Sequence, residues 1–104
     1  MVTRGDICWA ELAEGGRRPV LVLTRAEAIP VLRRVIVAPL TRTIRGIPTE
    51  VRLGKDDGMP EECVVNFDNV QVTPHRLLAD PIASLSGARM HEVCKALAIA
   101  TGCD

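Results

Sequence analysis

The sequence predicts a mainly β (α+β) domain: a small, partly open barrel of five or six short strands with a single helix at its C-terminal end. Three observations predict it. Short β-branched runs recur through the first ninety residues between turn-forming stretches, apolar spacing changes to a helical period from Ser86 onward, and no linker, repeat or low-complexity tract divides the 104 residues. One domain therefore spans 1–104.

The strands follow in order. Ile7-Cys8-Trp9-Ala10, Pro19 to Leu23, Val35 to Ala38, Glu50 to Leu53 and Cys63 to Phe67 are the β-branched runs. Glu14-Gly15-Gly16, Gly46-Ile47-Pro48 and Lys55 to Pro60 supply turns between them. Asn69-Val70-Gln71-Val72 alternates polar and apolar, as a strand with one wet face does. Thr73-Pro74 then places an N-cap before a proline at the first helical position, which predicts one helical turn through Leu77. From Ser86, an N-cap, the residues Met90, Val93, Cys94, Leu97, Ala98 and Thr101 fall at helical spacing, with Met90 and Cys94 read as core, and Gly102 ends the helix. Periodicity places these elements in an SH3-like barrel without separating it from other small β folds.

Aromatic residues make up 2% of the chain and tyrosine is absent, so the core is built from Val, Ile, Leu and Ala. A domain of this size buries a modest share of its surface, and a homodimer is a natural way to bury more. The first residues lack the apolar stretch of a secretory signal or membrane span, so a cytoplasmic location without a membrane partner is expected. Cys8, Cys63, Cys94 and Cys103 are far apart, with no C-x-x-C pair, and read as buried or idle thiols; no metal site and no cofactor are expected.

Formal net charge is zero, yet the charge is unevenly placed. Residues 1–52 carry nine arginines against five acids, and residues 53–104 carry four bases against eight acids. Eleven of the thirteen bases are arginine, the planar fork that grips phosphate oxygens in pairs. An arginine-rich composition with solvated charges gives the same pattern. Familiar hydrolytic sets are missing: the two histidines are His75, in the short turn after Pro74, and His91, on the polar side of the C-terminal helix, and no phosphate-binding glycine loop occurs.

Arg4-Gly5-Asp6-Ile7, Arg18-Pro19-Val20-Leu21-Val22-Leu23, Ala38-Pro39-Leu40-Thr41, Pro48-Thr49-Glu50-Val51 and Asp68-Asn69-Val70 resemble, in order and spacing, the MazF/PemK toxins. With the closing helix they cover nearly the whole chain. The resemblance implies a homodimer of SH3-like barrels that cuts single-stranded RNA at short sequences and is silenced by a cognate antitoxin, which lays an acidic tail in the RNA groove. It puts the catalytic arginine on Arg18 and the catalytic threonine on Thr41, and it makes Arg17, Arg42, Thr43, Arg45 and Asn69 candidate RNA contacts.

Physical chemistry suits these assignments. The 2′-OH of RNA can attack the adjacent phosphorus, leaving a 2′,3′-cyclic phosphate and a 5′-OH without metal or activated water, so the enzyme supplies in-line geometry and charge stabilisation. Pro19 restrains the backbone at Arg18, and Thr41 can donate a hydrogen bond to the same phosphate. The group that takes the 2′-OH proton is not indicated. With few aromatics, arginine planes do much of the base stacking, and phosphate contacts make cleavage weaken with salt.

Three positions depart from the family pattern: Cys8 where an aromatic is frequent, Asn69 where glutamine is frequent, and Gln71 where a basic residue is frequent. Without the resemblance, Arg18 reads as a surface salt bridge to Glu11 or Glu14, and Thr41 as a strand end. Rival functions are a gyrase-poisoning toxin of the same barrel, a relative without activity, and a non-catalytic SH3-like binding module, which normally presents an aromatic groove.

Overall fold

Burial on two faces of the first three strands shows how the chain is organised. In the computed structural model, which describes residues 1–13 and 16–103, β1 (Asp6–Leu12), β2 (Gly16–Val22) and β3 (Arg34–Thr41) form an antiparallel meander buried on both faces. Ile7, Leu21, Ala38 and Leu40 point into one core, while Cys8, Val20, Val22, Val35 and Val37 point into a second core with Ile29. A strand buried on both faces reads as a continuous apolar run, which is why these strands were visible in the sequence.

The remaining strands are β4 (Glu50–Leu53), β5 (Cys63–Asn66), β6 (Gln71–Pro74) and β7 (Leu78–Ser84), and the chain ends in α1 (Gly87–Thr101). Sheet order is β4-β5-β3-β2-β1-β7, with β6 also paired to β3. The predicted mainly β fold with a C-terminal helix is therefore present. Its barrel is open, since β4 and β7 end the path.

Seven strands replace the expected five or six. The addition is β7, a mostly exposed edge strand whose Pro81 marks a register irregularity against Cys8. Proline is tolerated there because an edge strand need not donate on its outer side. The strand expected from Asn69 begins at Gln71, because Phe67–Asn69 forms a 3-10 turn closed by the Asn66 side chain, which accepts from Asp68 N–H. Thr73 is buried in β6 and is not a cap; the helical turn is His75–Leu77, with Pro74 before it. The Glu14-Gly15 part of the first predicted turn lies outside the described residues.

Helix α1 packs on β4 and the Phe67–Asn69 turn. Ser86 Oγ accepts from Arg89 N–H, and Gly102 takes the left-handed conformation at φ 73° that ends the helix. Val93 and Ala96 are buried, and Met90 and Leu97 pack beside them. Cys94 is exposed, against its core assignment, and Thr101 faces outward with its hydroxyl donating to Leu97 O. The helical apolar stripe turns through Ala96, and alanine is too small to stand out in a pattern read for large residues. Cys8 and Cys63 are buried; burial, with the Asp6 carboxylate beside it, pushes the Cys8 thiol up to about 11. Among the described residues, no helix is long and apolar enough to cross a membrane.

An ion pair ties the helix to the β layer. Arg89 Nε and Nη2 donate to the two oxygens of Asp57 at 2.8 and 3.3 Å, and Nη1 donates to Glu92 at 3.0 Å. Burial alone would raise the Asp57 carboxyl, but the Arg89 fork and the Gly54 N–H outweigh it and hold its pKa below the usual carboxylate value. A depressed folded-state pKa means that the stabilisation is complete above the unfolded value of about 4 and is lost as pH falls through the folded value. Arg89→Ala is expected to cost about 1–3 kcal/mol in urea unfolding at pH 7. Its deficit should shrink as pH falls below about 4; an equal deficit at pH 7 and pH 2.5 would contradict the assignment.

Candidate active site

The ladder between β2 and β3 stops beside Arg18 for a backbone reason. Leu23 N–H donates to Ile36 O, and the register pairs Leu21 with Ala38 and Val20 with Pro39. Hydrogen-bonded pairs alternate along an antiparallel ladder, so the next bonded pair would be Pro19 with Leu40. Pro19 has no N–H to give, and the Leu40 carbonyl is left without its strand donor. Arg18 supplies one: its Nη1 donates to Leu40 O at 3.4 Å. On the opposite edge of β3, Pro39 falls between the pairing to β6, which runs through Val37, and the pairing to β5, which starts at Leu40. No N–H is stranded in that gap.

Arg18 is half-buried and forms the wall between two clefts. One, of about 310 Å³, is also lined by Thr41, Arg17, Arg42, Trp9 and Glu61. The other, of about 420 Å³, is lined by Asp68, Asn69, Gln71 and Leu12. Among the described residues, Arg18 is the one side chain that both share. The predicted Arg18–Thr41 pair thus faces a common space, and Asn69 reaches Arg18 from the other side.

The other predicted contacts divide. Arg17 pairs with Glu11 across the β1–β2 ladder at 3.6 Å and lies over the Trp9 ring at 5.4 Å. Arg17 thus makes the Glu11 ion pair that was an alternative for Arg18, and the Glu14 alternative lies outside the described residues. Arg42 is exposed and pairs with Glu61 at 2.9 Å. Thr43 N–H donates to Thr41 Oγ1 at 3.2 Å, which leaves the Thr41 hydroxyl hydrogen free to point into the cleft. Thr43 and Arg45 line neither cleft, so they stand apart from the Arg18 cluster.

The loop from Arg42 to Thr49 is nevertheless fixed. Glu50 Oε1 accepts from the N–H groups of Arg45 and Gly46, each at 3.1 Å, while Gly46 has φ 69°. Next to it, Thr49 Oγ1 donates to Asp68 at 2.6 Å and Thr49 O accepts from Phe67 N–H. Thr49 and Glu50 therefore join the Arg45–Gly46 loop to the turn that carries Asp68 and Asn69. Asp68 was missed as a site residue, although it stood in the Asp68-Asn69-Val70 motif directly before the chosen Asn69.

A family model described as PemK-like, MazF-like toxin of type II toxin–antitoxin systems matches residues 3–101. The chain belongs to this toxin family. It is 46% identical over 102 residues to the probable endoribonuclease MazF5 of Mycobacterium tuberculosis, covering 97% of this chain and 94% of that protein. It is 44% identical to the probable endoribonuclease MazF2 of the same organism, with 96% and 98% covered. Among solved structures, the M. tuberculosis toxin MazF-mt6 superposes with a TM-score of 0.88 at 36% identity, over 95% of this chain and 98% of that one. A mycobacterial endoribonuclease in complex with its cognate antitoxin superposes with a TM-score of 0.89 at 29% identity, over 100% and 98%. The MazF-like fold and the ordered motifs thus agree from end to end.

Pro19→Ala tests the local geometry. A restored N–H at position 19 is expected to pair with Leu40 O and displace the Arg18 guanidinium, with fold stability changed by less than about 1 kcal/mol. Slow amide exchange at position 19 would show the new bond, and fast exchange in a folded variant would contradict the register.

Proposed function

We propose that this protein is the toxin of a toxin–antitoxin pair and acts as a metal-independent, sequence-specific endoribonuclease on single-stranded RNA. The observation that carries this reading is the shared wall: Arg18 faces Thr41 in one cleft and Asp68 and Asn69 in the other. A phosphate lodged against Arg18 meets a guanidinium already aimed by the Leu40 carbonyl, and the Thr41 hydroxyl can donate to the same group. As the 2′-OH attacks, negative charge grows on the phosphorane oxygens, and donors that need no rearrangement stabilise it most. The products are a 2′,3′-cyclic phosphate and a 5′-OH.

The 2′-OH proton needs an acceptor, which arginine cannot be because it stays charged. Asp68 is the carboxylate assigned to that role. It lines the Arg18 cleft, and the Thr49 hydroxyl bond fixes its orientation. In the neighbouring cleft Glu61 and Glu62 are engaged with Arg42 and Arg52. Arg17, Arg42 and Asn69 then hold the flanking nucleotides, and Thr43 and Arg45 act from the loop above them.

The partners in this reading are single-stranded RNA, a cognate antitoxin with an acidic tail that competes for the same arginines, and a second copy of the chain in a homodimer. Exposed large apolar side chains, Val31, Val72 and Ile82 among them, support pairing between copies. The site of action is the cytoplasm.

Purified protein in EDTA is expected to cut single-stranded RNA, leaving 5′-OH ends; fragments with 5′-phosphates would rule out attack by the 2′-OH. Arg18→Ala should lower the rate about 10²–10³-fold. Asp68→Asn should lower it about 10²-fold or more, and Thr41→Val, similar in shape, about tenfold. Undiminished cleavage by the Arg18 variant would sink the assignment.

A further inference from the structure

The clefts around Arg18 leave one strongly basic region without a role. A third cleft, of about 700 Å³, is lined by Arg33, Arg34, His75 and Arg76 together with Leu32 and Pro74. Among the described residues, no carboxylate lines it. Arg33, Arg34 and Arg76 form no ion pair among the described residues, as is true of Arg4, Arg18, Arg25 and Arg45, but only these three gather in one cleft. Cationic side chains gathered without a counter-charge repel one another, and an anionic ligand relieves that repulsion.

The backbone holds the cluster together. Arg34 opens β3 opposite Pro74 in β6, and His75 N–H donates to Arg33 O at 2.8 Å. Two basic segments distant in sequence are therefore fixed side by side at the start of β3, while Thr41 sits at its far end. At about 3.3 Å per residue the two ends are about 23 Å apart, the length of roughly seven stacked nucleotides at 3.4 Å each.

We propose that this cleft is a phosphate-binding subsite for RNA lying outside the cleaved segment. The inference rests on the ribonuclease reading above and adds to it a second contact, remote from the catalytic arginine. Arginine forks bind phosphate oxygens in pairs, and phosphate contacts carry no sequence information, so the subsite grips the backbone irrespective of sequence. It contributes affinity for long RNA and leaves the choice of cleavage sequence to the Arg18 clefts.

The test uses two RNAs with the same cleavage sequence, one of about six nucleotides and one extended by about twenty on each side. The triple variant Arg33→Ala, Arg34→Ala, Arg76→Ala is compared with the parent in binding across a salt series and in cleavage. Binding of the long RNA is expected to weaken about tenfold or more, and the slope of log affinity against log salt to become shallower by about 2, from about 0.7 per lost contact on a single strand. Cleavage of the short RNA should stay within about twofold of the parent. The single variants, each flattening the slope by about 0.7, serve if the triple variant fails to fold. Equal loss on both RNAs, an unchanged salt slope, or a changed oligomeric state would overturn the proposal. So would intact binding of long RNA with lost affinity for the antitoxin. A parent protein that bound long RNA with the steep slope but cut neither RNA would defeat the ribonuclease reading and leave the subsite standing.

Discussion

The donor that Pro19 lacks organises the site. Antiparallel strands normally consume every inward carbonyl, and a buried carbonyl without a partner is costly. Here the β2–β3 ladder reaches Val20 and Pro39 and stops, so Leu40 O must be satisfied by a side chain. The residue placed to do so is Arg18, immediately before the proline. On its other edge β3 passes from β6 to β5 at Pro39, which brings β5 and the Phe67–Asn69 turn beside Arg18. The placement of the Arg18 guanidinium thus depends on one missing N–H.

Much of this was legible in the sequence, for identifiable reasons. Buried strands such as Val20-Leu21-Val22 declare themselves as unbroken apolar runs, and Ser86 and Gly102 bracket the helix by cap chemistry. The edge strand β7 was hidden because Leu78 to Ser84 is mostly exposed and contains Asp80-Pro81. Cys94 was misplaced because Ala96 carries the buried stripe. At the site, Arg18 and Thr41 were named from an ordered set of motifs, while Asp68 needed the fold, since only packing reveals which carboxylate shares a wall with Arg18. The separation of Thr43 and Arg45 from that wall was equally invisible, because adjacent positions in a loop need not face one cleft.

A net charge of zero hides how the charges are paired. Two arginines near the site are held by acidic neighbours: Glu11 holds Arg17, and Glu61 holds Arg42. Such pairs keep long side chains in one arrangement, and in the proposed ribonuclease reading phosphate would replace carboxylate on each. An acidic antitoxin tail would use the same exchange. Binding strength then reflects the difference between two partners for each arginine, not the count of positive charges.

Single-turnover cleavage by Arg18→Lys, with RNA affinity measured in parallel, is the most direct test of charge stabilisation by an oriented guanidinium. Lysine keeps the charge but loses the fork that spans the Leu40 carbonyl and a phosphate at once. With charge stabilisation of this kind, RNA affinity is expected within about threefold of the parent and the cleavage rate about 10²-fold lower, close to the alanine variant. A lysine variant that cuts at the parental rate, or one that loses affinity in proportion to its rate, would contradict it.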